Sequence, residues 1–221
     1  MVKDGVQIFF DHFGIDEKDF IQFGISNIDF PNRKIAAVEW QTLLKSIRGN
    51  RETIHVRKFG RVPKRQKLLV DFYKDVLKIN NITFDTTNNA QPYKVFSTAT
   101  DVFKRKHITN YKVSHIWGRT KNPYAFCALW NMCYTPIFID PFTGHEANGI
   151  LAKQFQKQFK NYAYKLFRKQ ISEFNAIMQS LQPKINQFVK RIENSKNLTS
   201  KDKTEIKKVI SSEFACIEVI K

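Results

Sequence analysis

Apolar residues at three- and four-residue steps predict helices along much of the chain. This spacing brings side chains to one face of an α-helix, where they pack on a core while polar residues meet solvent. We expect helices over residues 34–48, 66–78, 173–194 and 200–218, and a long helix that starts after residue 147.

The helix expected after residue 147 combines an apolar face with a basic one. Its apolar positions repeat at helical spacing and are Leu151, Phe155, Phe159, Tyr162 and Leu166. Cations occupy most of the other positions, namely Lys153, Lys157, Lys160, Lys165, Arg168 and Lys169. Such a helix can pack on the core through its apolar face and expose its positively charged face to solvent.

Strands are expected where β-branched and aromatic residues alternate or cluster. A short strand should run through Ile54 and Val56, and the stretches from Tyr93 to Phe103 and from Tyr111 to Ile116 also favour strands. Residues 126–139 form a dense apolar run, as expected of a buried strand. The pattern therefore predicts an α+β protein.

The charge of the chain points to a polyanionic partner. The 221 residues include 37 Lys and Arg against 20 Asp and Glu, which gives a formal net charge of +17. Residues 1–31 carry six acids and two bases and should form a short helix or arm, so the whole surplus lies further along the chain. Nucleic acid is the expected partner. An anionic membrane, or a lysine-rich composition without functional meaning, are the alternatives.

Several classes of protein are excluded by what the sequence lacks. It has no signal-peptide pattern and no apolar run long enough to span a membrane, so we expect a cytoplasmic protein. Three cysteines cannot complete a disulfide framework, and Cys127 and Cys133 have poor zinc-ligand spacing. P-loop, GxGxxG, HExxH and paired CxxC motifs do not occur.

Residues 45–67 carry nine bases and one acid, Glu52. A solvated surface is one interpretation of this run. A phosphate-binding strand and loop is the other, and we favour it because Gly60 and Pro63 interrupt the segment. Together with the basic helix, this segment supplies the candidate DNA-contacting residues Arg57, Arg61, Lys64, Arg65, Lys153, Lys157 and Lys160.

Residues 111–146 carry the most specific motif of the sequence. His115 ends one expected strand within Val-Ser-His-Ile-Trp-Gly, and Asn131 lies in the next apolar run. His145 follows in Asp-Pro-Phe-Thr-Gly-His-Glu, just before the basic helix. This order of His, Asn and His over about 35 residues resembles the HNH, or His-Me finger, endonucleases. Within that family it is most similar to the small restriction endonucleases.

The resemblance implies a role for each of these positions. His115 would be the general base that deprotonates the attacking water, and a buried structural histidine is the alternative. Asn131 would contribute to catalysis by fixing the loop geometry, or would ligate the metal. Arg119 would stabilise the extra negative charge of the scissile phosphate, and Lys121 would do the same or bind the DNA backbone.

The resemblance also implies a single divalent cation, Mg²⁺ being the natural choice. His145 would be a metal ligand, with Asn131, Asp140 and Glu146 as further candidates. A helix-capping role is the alternative for His145. Many relatives place an acidic residue or a second His directly before the catalytic His, where this chain has Ser114.

These observations lead us to expect a sequence-specific, metal-dependent endonuclease for double-stranded DNA, similar to type II restriction enzymes. A mainly helical DNA-binding part (residues 1–92), a central ββα-metal finger with the basic helix (93–172) and a helical C-terminal part (173–221) would make up the chain. A second copy of the chain and a methyltransferase of the same specificity are further candidate partners. A basic DNA- or RNA-binding protein without catalysis, and an HNH nuclease of the homing or junction-resolving type, remain alternatives.

Overall fold

The computed structural model describes residues 3–49, 52–60, 62–87, 89–144 and 146–219. Helices and short strands alternate in these ranges, as expected of an α+β protein. The helices are α1 (Gly5–Phe13), α2 (Glu17–Ser26), α3 (Arg33–Gly49), α4 (Pro63–Phe72), α5 (Ala90–Thr100), α6 (Asp140–Thr143), α7 (Ile150–Asn194) and α8 (Ser200–Glu213). The strands are β1 (Ile54–Arg57), β2 (Ile82–Asp85), β3 (Tyr111–His115) and β4 (Met132–Pro136).

The acidic N-terminal segment forms the two short helices α1 and α2. Asp4 and Asp16 precede them, and each carboxylate accepts hydrogen bonds from the first free backbone N–H groups of its helix. Aromatic rings then fasten this pair to the body, because Phe20 lies 4.9 Å from Phe142 and 6.2 Å from Phe155, centroid to centroid.

Strands β1 and β2 form a parallel pair connected by α4 and a π-helical turn at Tyr73–Leu77. The register runs from Ile54 opposite Ile82 to Arg57 opposite Asp85. Because the strands are parallel, their carboxyl ends lie at the same edge. This pairing therefore brings Arg57 and Asp85 together.

Strands β3 and β4 pair antiparallel, with Tyr111 opposite Pro136 and His115 opposite Met132. All five residues of β4 are buried, so this strand is covered on both faces and does not alternate between buried and exposed positions. The connection between the strands ends in a 3₁₀ turn at Leu129–Asn131. The hairpin thus fixes His115 at one end and leaves a long loop beyond it.

Helix α7 extends over 45 residues of the C-terminal half. Its backbone leaves helical geometry at Phe167, where the axis is kinked. This kink divides α7 into two helical segments. The two helices expected over 147–172 and 173–194 are therefore present, and the break between them lies five residues before the expected boundary after residue 172. The buried side chains of α7 include Phe155, Phe159 and Phe174, in line with the predicted apolar face.

One predicted strand is wrong. The stretch from Tyr93 to Phe103 is mostly helix α5, in spite of its aromatic and β-branched residues. Pro92 lies in the first turn of this helix, and the Ser97 hydroxyl donates to the Tyr93 carbonyl over one helical turn at 2.7 Å. Packing on α3, β3 and β4 outweighs the strand preference of the individual residues.

The other main elements match the prediction. Helices α3, α4 and α8 and strands β1 and β3 lie within a few residues of the segments indicated by the pattern. Strand β2 was missed, since its partner β1 is more than twenty residues away along the chain. Within the described residues, no helix combines the length and apolar character needed to cross a lipid bilayer.

Candidate active site

A polar cleft of about 430 Å³ opens at the end of β3. It lies where the carboxyl end of β1, strand β3, the loop before β3 and the helix α6 meet. Its charged and titratable lining residues are Arg57, Lys104, Lys112, His115, Asp140 and Glu146. The cleft thus brings three cations and two carboxylates together around one histidine, groups that could bind an anion and transfer a proton.

His115 is held in one orientation by the loop that follows it. Its Nε2 lies 2.8 Å from the Phe126 carbonyl oxygen, and the imidazole stacks on the Phe126 ring at 5.4 Å with planes 8° apart. A carbonyl oxygen can only accept, so Nε2 carries the proton and donates. Nδ1 is then the basic nitrogen of the neutral ring.

Burial makes that neutral form dominant. Desolvation lowers the pKa of His115 from 6.5 to about 4, and the positive charge of Arg57 acts in the same direction. The hydrogen bond to Phe126 and the charge of Asp85 oppose this shift but do not cancel it. At pH 7 the imidazole is uncharged and can accept a proton at Nδ1.

Asn131 shapes the loop between β3 and β4. The side chain is fully buried. Its Oδ1 accepts from the Trp117 backbone N–H at 3.0 Å, and its Nδ2 donates to the carbonyls of Gly118 at 2.8 Å and Ala125 at 3.1 Å. These contacts use both amide protons and hold the amide oxygen against the Trp117 N–H, so of the two roles expected for Asn131 they favour fixing the loop geometry over binding a metal.

Asp140 lies at the start of α6 and faces β3. Its carboxylate accepts a hydrogen bond from the Ser114 hydroxyl and pairs with the Lys112 ammonium. Lys112 and Ser114 are two residues apart on β3, so they share a face of the strand. The Ser114 side chain thus orients the Asp140 carboxylate on the face of β3 that carries Lys112, and Asp140 and His115 line the same cleft.

The possible metal ligands near Asp140 indicate which kind of ion the cleft could bind. Asp140 and Glu146 line the same cleft, whereas His145 lies outside the described residues. In the part of the chain that is described, no three His, Cys, Asp or Glu side chains form a ligand cluster. Mg²⁺ commonly binds through one or two carboxylates, water and substrate phosphate, and this donor set fits that pattern. A closed zinc site needs four ligands and does not fit.

Arg57 reaches the cleft from the end of β1. Its backbone N–H donates to the Thr120 carbonyl at 2.9 Å, and its Nη2 donates to Asn89 Oδ1 at 3.1 Å. The Asn89 Nδ2 in turn donates to the Val113 carbonyl at 3.3 Å, although Asn89 has a left-handed backbone with φ of 77°. Asn89 thus connects the Arg57 guanidinium to strand β3 through two hydrogen bonds.

Arg119 and Lys121 both contact the last helix, α8. The Arg119 guanidinium donates to the Ser212 carbonyl of α8. The Lys121 backbone N–H donates to Glu213 Oε2 at 2.9 Å, and its Nζ lies 3.3 Å from Glu213 Oε1. Neither side chain lines the cleft. Both fasten the loop after β3 to the last helix.

The other candidate DNA-contacting residues are scattered over the molecule. Arg65 pairs with Asp202 at 2.8 Å, and Lys64 donates to the Asn197 carbonyl at 2.6 Å, so both contact the segment around the start of α8. On α7, Lys160 is half-buried, and burial lowers its pKa. Lys153 and Lys157 are exposed on the same helix, and Arg61 lies outside the described residues.

The sequence reasoning missed Lys112 and Lys104 at the cleft. The two-residue spacing of Lys112 and Ser114 on a predicted strand was a usable signal for the first. Lys104 had no such signal, because it belongs to a loop placed beside the cleft only by packing. Burial raises the pKa of the Cys127 and Cys133 thiols to about 12, so both are protonated and weakly reactive at neutral pH.

Fold and site together define an α+β protein with a cationic cleft around a neutral histidine. Residues 31–219 match the family described as "Uncharacterised protein PM1201". The "Uncharacterized protein PM1201" of Pasteurella multocida (strain Pm70) is 36% identical over 221 residues, which covers 99% of both chains. The chain therefore belongs to the PM1201 family. No solved structure matches it significantly.

Proposed function

We propose that the protein is a divalent-metal-dependent endonuclease of the HNH type that cuts double-stranded DNA at specific sequences. Strands β3 and β4 with the helical segment from Asp140 onward would be its ββα finger. The observation that carries this proposal is His115, a neutral base with a fixed tautomer, in a cleft that also holds cations and an oriented carboxylate.

His115 would begin the reaction. Its Nδ1 takes a proton from a water molecule, and the water oxygen attacks phosphorus while the bond to the leaving 3′-oxygen breaks. The Phe126 carbonyl holds the Nε2–H throughout, so the ring cannot present the wrong nitrogen. The resulting imidazolium then passes its proton to solvent.

Cations of the cleft would stabilise the charge that develops on the phosphate. Arg57 approaches from β1, and a planar guanidinium can bind two phosphate oxygens at once. It takes the role that the sequence had suggested for Arg119. Lys112 also lines the cleft and pairs with Asp140. Fixed charges in a partly desolvated cleft are more effective than the same charges in water.

A divalent ion would be held by Asp140, with Glu146 and His145 as the neighbouring candidate ligands. When bound, it would neutralise charge on the phosphate and on the leaving oxygen. Ser114 would act by orienting Asp140. This role would explain why a serine, and not an acidic residue, precedes His115.

A plasmid digest tests the proposal directly. Purified protein is incubated with plasmid in Mg²⁺ and in EDTA, beside His115→Ala and the matched control His12→Ala on exposed α1. We expect discrete fragments with Mg²⁺ for the wild type and for His12→Ala. Fragments should disappear in EDTA and in His115→Ala.

The product pattern separates the alternatives. Smeared or structure-dependent products would replace the restriction-type assignment with a less specific or junction-resolving HNH nuclease. Salt-sensitive DNA retardation without cutting in Mg²⁺, Mn²⁺ or Ni²⁺ would refute the enzyme. It would leave a basic binding protein, the second candidate. The Lys112–Asp140 pair favours that candidate, because an ammonium already satisfies the carboxylate.

A further inference from the structure

The loop of residues 101–110 joins α5 to β3 and presents four consecutive basic or titratable side chains. Lys104, Arg105, Lys106 and His107 follow one another, and the last three are exposed. We call residues 101–110 the cationic loop. The sequence predicts a phosphate-binding role for the basic segment 45–67 and assigns no role to this shorter run.

The cations of the cationic loop have no acidic partners within the described chain. No described carboxylate lies within 4.0 Å of the charged groups of Lys104, Arg105 or Lys106. By contrast, Arg65 and Lys121 of the more conspicuous basic segments are paired with carboxylates of α8. The charges of Lys104, Arg105 and Lys106 are therefore available to a ligand, whereas the charge of Arg65 is compensated by Asp202.

Backbone hydrogen bonds hold the cationic loop in one shape. The Arg105 N–H donates to the Ile108 carbonyl at 2.8 Å, and the His107 N–H donates to the Phe103 carbonyl at 2.8 Å. The Phe103 N–H donates in return to His107 Nδ1 at 3.1 Å. Arg105 has a left-handed backbone, with φ of 66°, which a non-glycine residue adopts only when its surroundings require it.

Two tyrosines attach the cationic loop to the body. The Tyr134 hydroxyl of β4 donates to the Val102 carbonyl at 2.9 Å, and the Tyr93 hydroxyl of α5 accepts from the Lys104 N–H at 3.3 Å. The Lys104 ammonium lies 5.1 Å from the centre of the Tyr93 ring. A preorganised loop loses little conformational entropy on binding, which suits a recognition element.

The cationic loop borders the cleft that contains His115. Lys104 lines that cleft together with Lys112 and Arg57, and burial and the charge of Lys112 both lower the pKa of Lys104. Like charges held this close repel one another unless an anion lies between them. From Lys104 the positive surface continues outward to Arg105 and Lys106, so an anionic chain entering the cleft meets all three.

We propose that the cationic loop is the element that reads the DNA sequence beside the scissile phosphate. Arg105 contacts base edges, because its planar fork can donate two hydrogen bonds to one base, most commonly guanine. Lys104 and Lys106 contact phosphates, for which a point charge suffices. This inference rests on the proposed function and deepens it by naming the residue that sets specificity.

Binding without cleavage tests this assignment. The wild type, Arg105→Ala, Arg105→Lys and Lys106→Ala select from a pool of random DNA duplexes in EDTA, and affinity for the selected site is followed against salt. Lys208→Ala, an exposed lysine on α8, is the matched control for loss of one charge. Melting curves of all variants verify that each one folds.

The two kinds of contact predict different results. Both Arg105 variants should lose preference for at least one base position by about 10-fold or more, and Arg105→Lys should keep the salt dependence of the wild type. Lys106→Ala should select the wild-type site, with a slope of log K against log salt that is less steep by about 0.9. Lys208→Ala should behave as the wild type.

The outcomes separate this inference from the proposed function. Selection of an unchanged site by both Arg105 variants would overturn base reading by the cationic loop, even if the protein cuts DNA as proposed. An unchanged slope in Lys106→Ala would overturn its phosphate contact. A wild type that selects no DNA site, or that binds RNA in preference, would refute the sequence-specific DNA endonuclease and the inference with it.

Discussion

The buried imidazole of His115 should make the stability of the protein depend on pH between about 4 and 6.5. In the unfolded chain the pKa of this histidine is about 6.5, and in the folded protein burial lowers it to about 4. Between these values the unfolded chain binds the proton and the folded one does not. Stability is therefore highest above pH 6.5 and falls as the pH falls through this range.

The size of the effect follows from the two pKa values. The full difference between them corresponds to about 3 kcal/mol below pH 4, since one pKa unit is worth about 1.4 kcal/mol. At pH 5 the linkage relation gives a loss of about 2 kcal/mol relative to pH 8. A loss of this size is a large part of the total stability of an ordinary domain.

Comparison with His115→Gln isolates the contribution of this group. Urea denaturation at pH 8 and pH 5, in EDTA, gives the unfolding free energy of each protein. All other titrating groups are shared, so the advantage of the wild type over the variant should shrink by about 2 kcal/mol from pH 8 to pH 5. An advantage that is the same at both pH values would show that His115 titrates normally and would refute the argument.

Three further changes test the site. Asn131→Ala leaves three backbone groups of the buried loop without partners and should cost about 3 kcal/mol of stability in urea denaturation; a loss below about 1 kcal/mol would contradict its anchoring role. Arg57→Gln should slow DNA cleavage by about 100-fold or more while DNA affinity falls much less, and an equal loss in both would assign it to binding alone. Lys112→Met removes the cation that competes at Asp140, so calorimetry should show Mn²⁺ binding about 5-fold more tightly. Unchanged Mn²⁺ affinity would mean that Asp140 does not ligate the ion.

The sequence was sufficient for elements whose signal is local. The apolar period placed α3 and α8, alternation placed β1, and β-favouring residues placed β3 with His115 at its end. Helix α5 was misread, because its aromatic and β-branched residues favour a strand and only packing overrides that preference. Strand β2 forms by pairing with a distant segment, so its short run carried little information by itself.

The roles of the basic residues depended on contacts that no local pattern encodes. Arg65 and Asp202 are 137 positions apart, and Lys121 and Glu213 are 92 positions apart. The composition of residues 45–67 did not distinguish Arg57, which lines the cleft, from Arg65, which pairs with Asp202. The motif around His115 gave the location of the cleft, whereas the convergence of Arg57, Lys104 and Lys112 on it is a product of the tertiary fold.

The docking of the His115 loop on α8 has a consequence for how the protein is made. The loop supplies the Phe126 carbonyl that orients His115, and it is fastened to Glu213, which is synthesised 92 residues after Lys121. The Asn122 amide also donates to the Glu213 backbone carbonyl at 2.9 Å. A growing chain that has not reached α8 lacks these anchors. The loop that orients His115 therefore gains these anchors only after α8 has been synthesised.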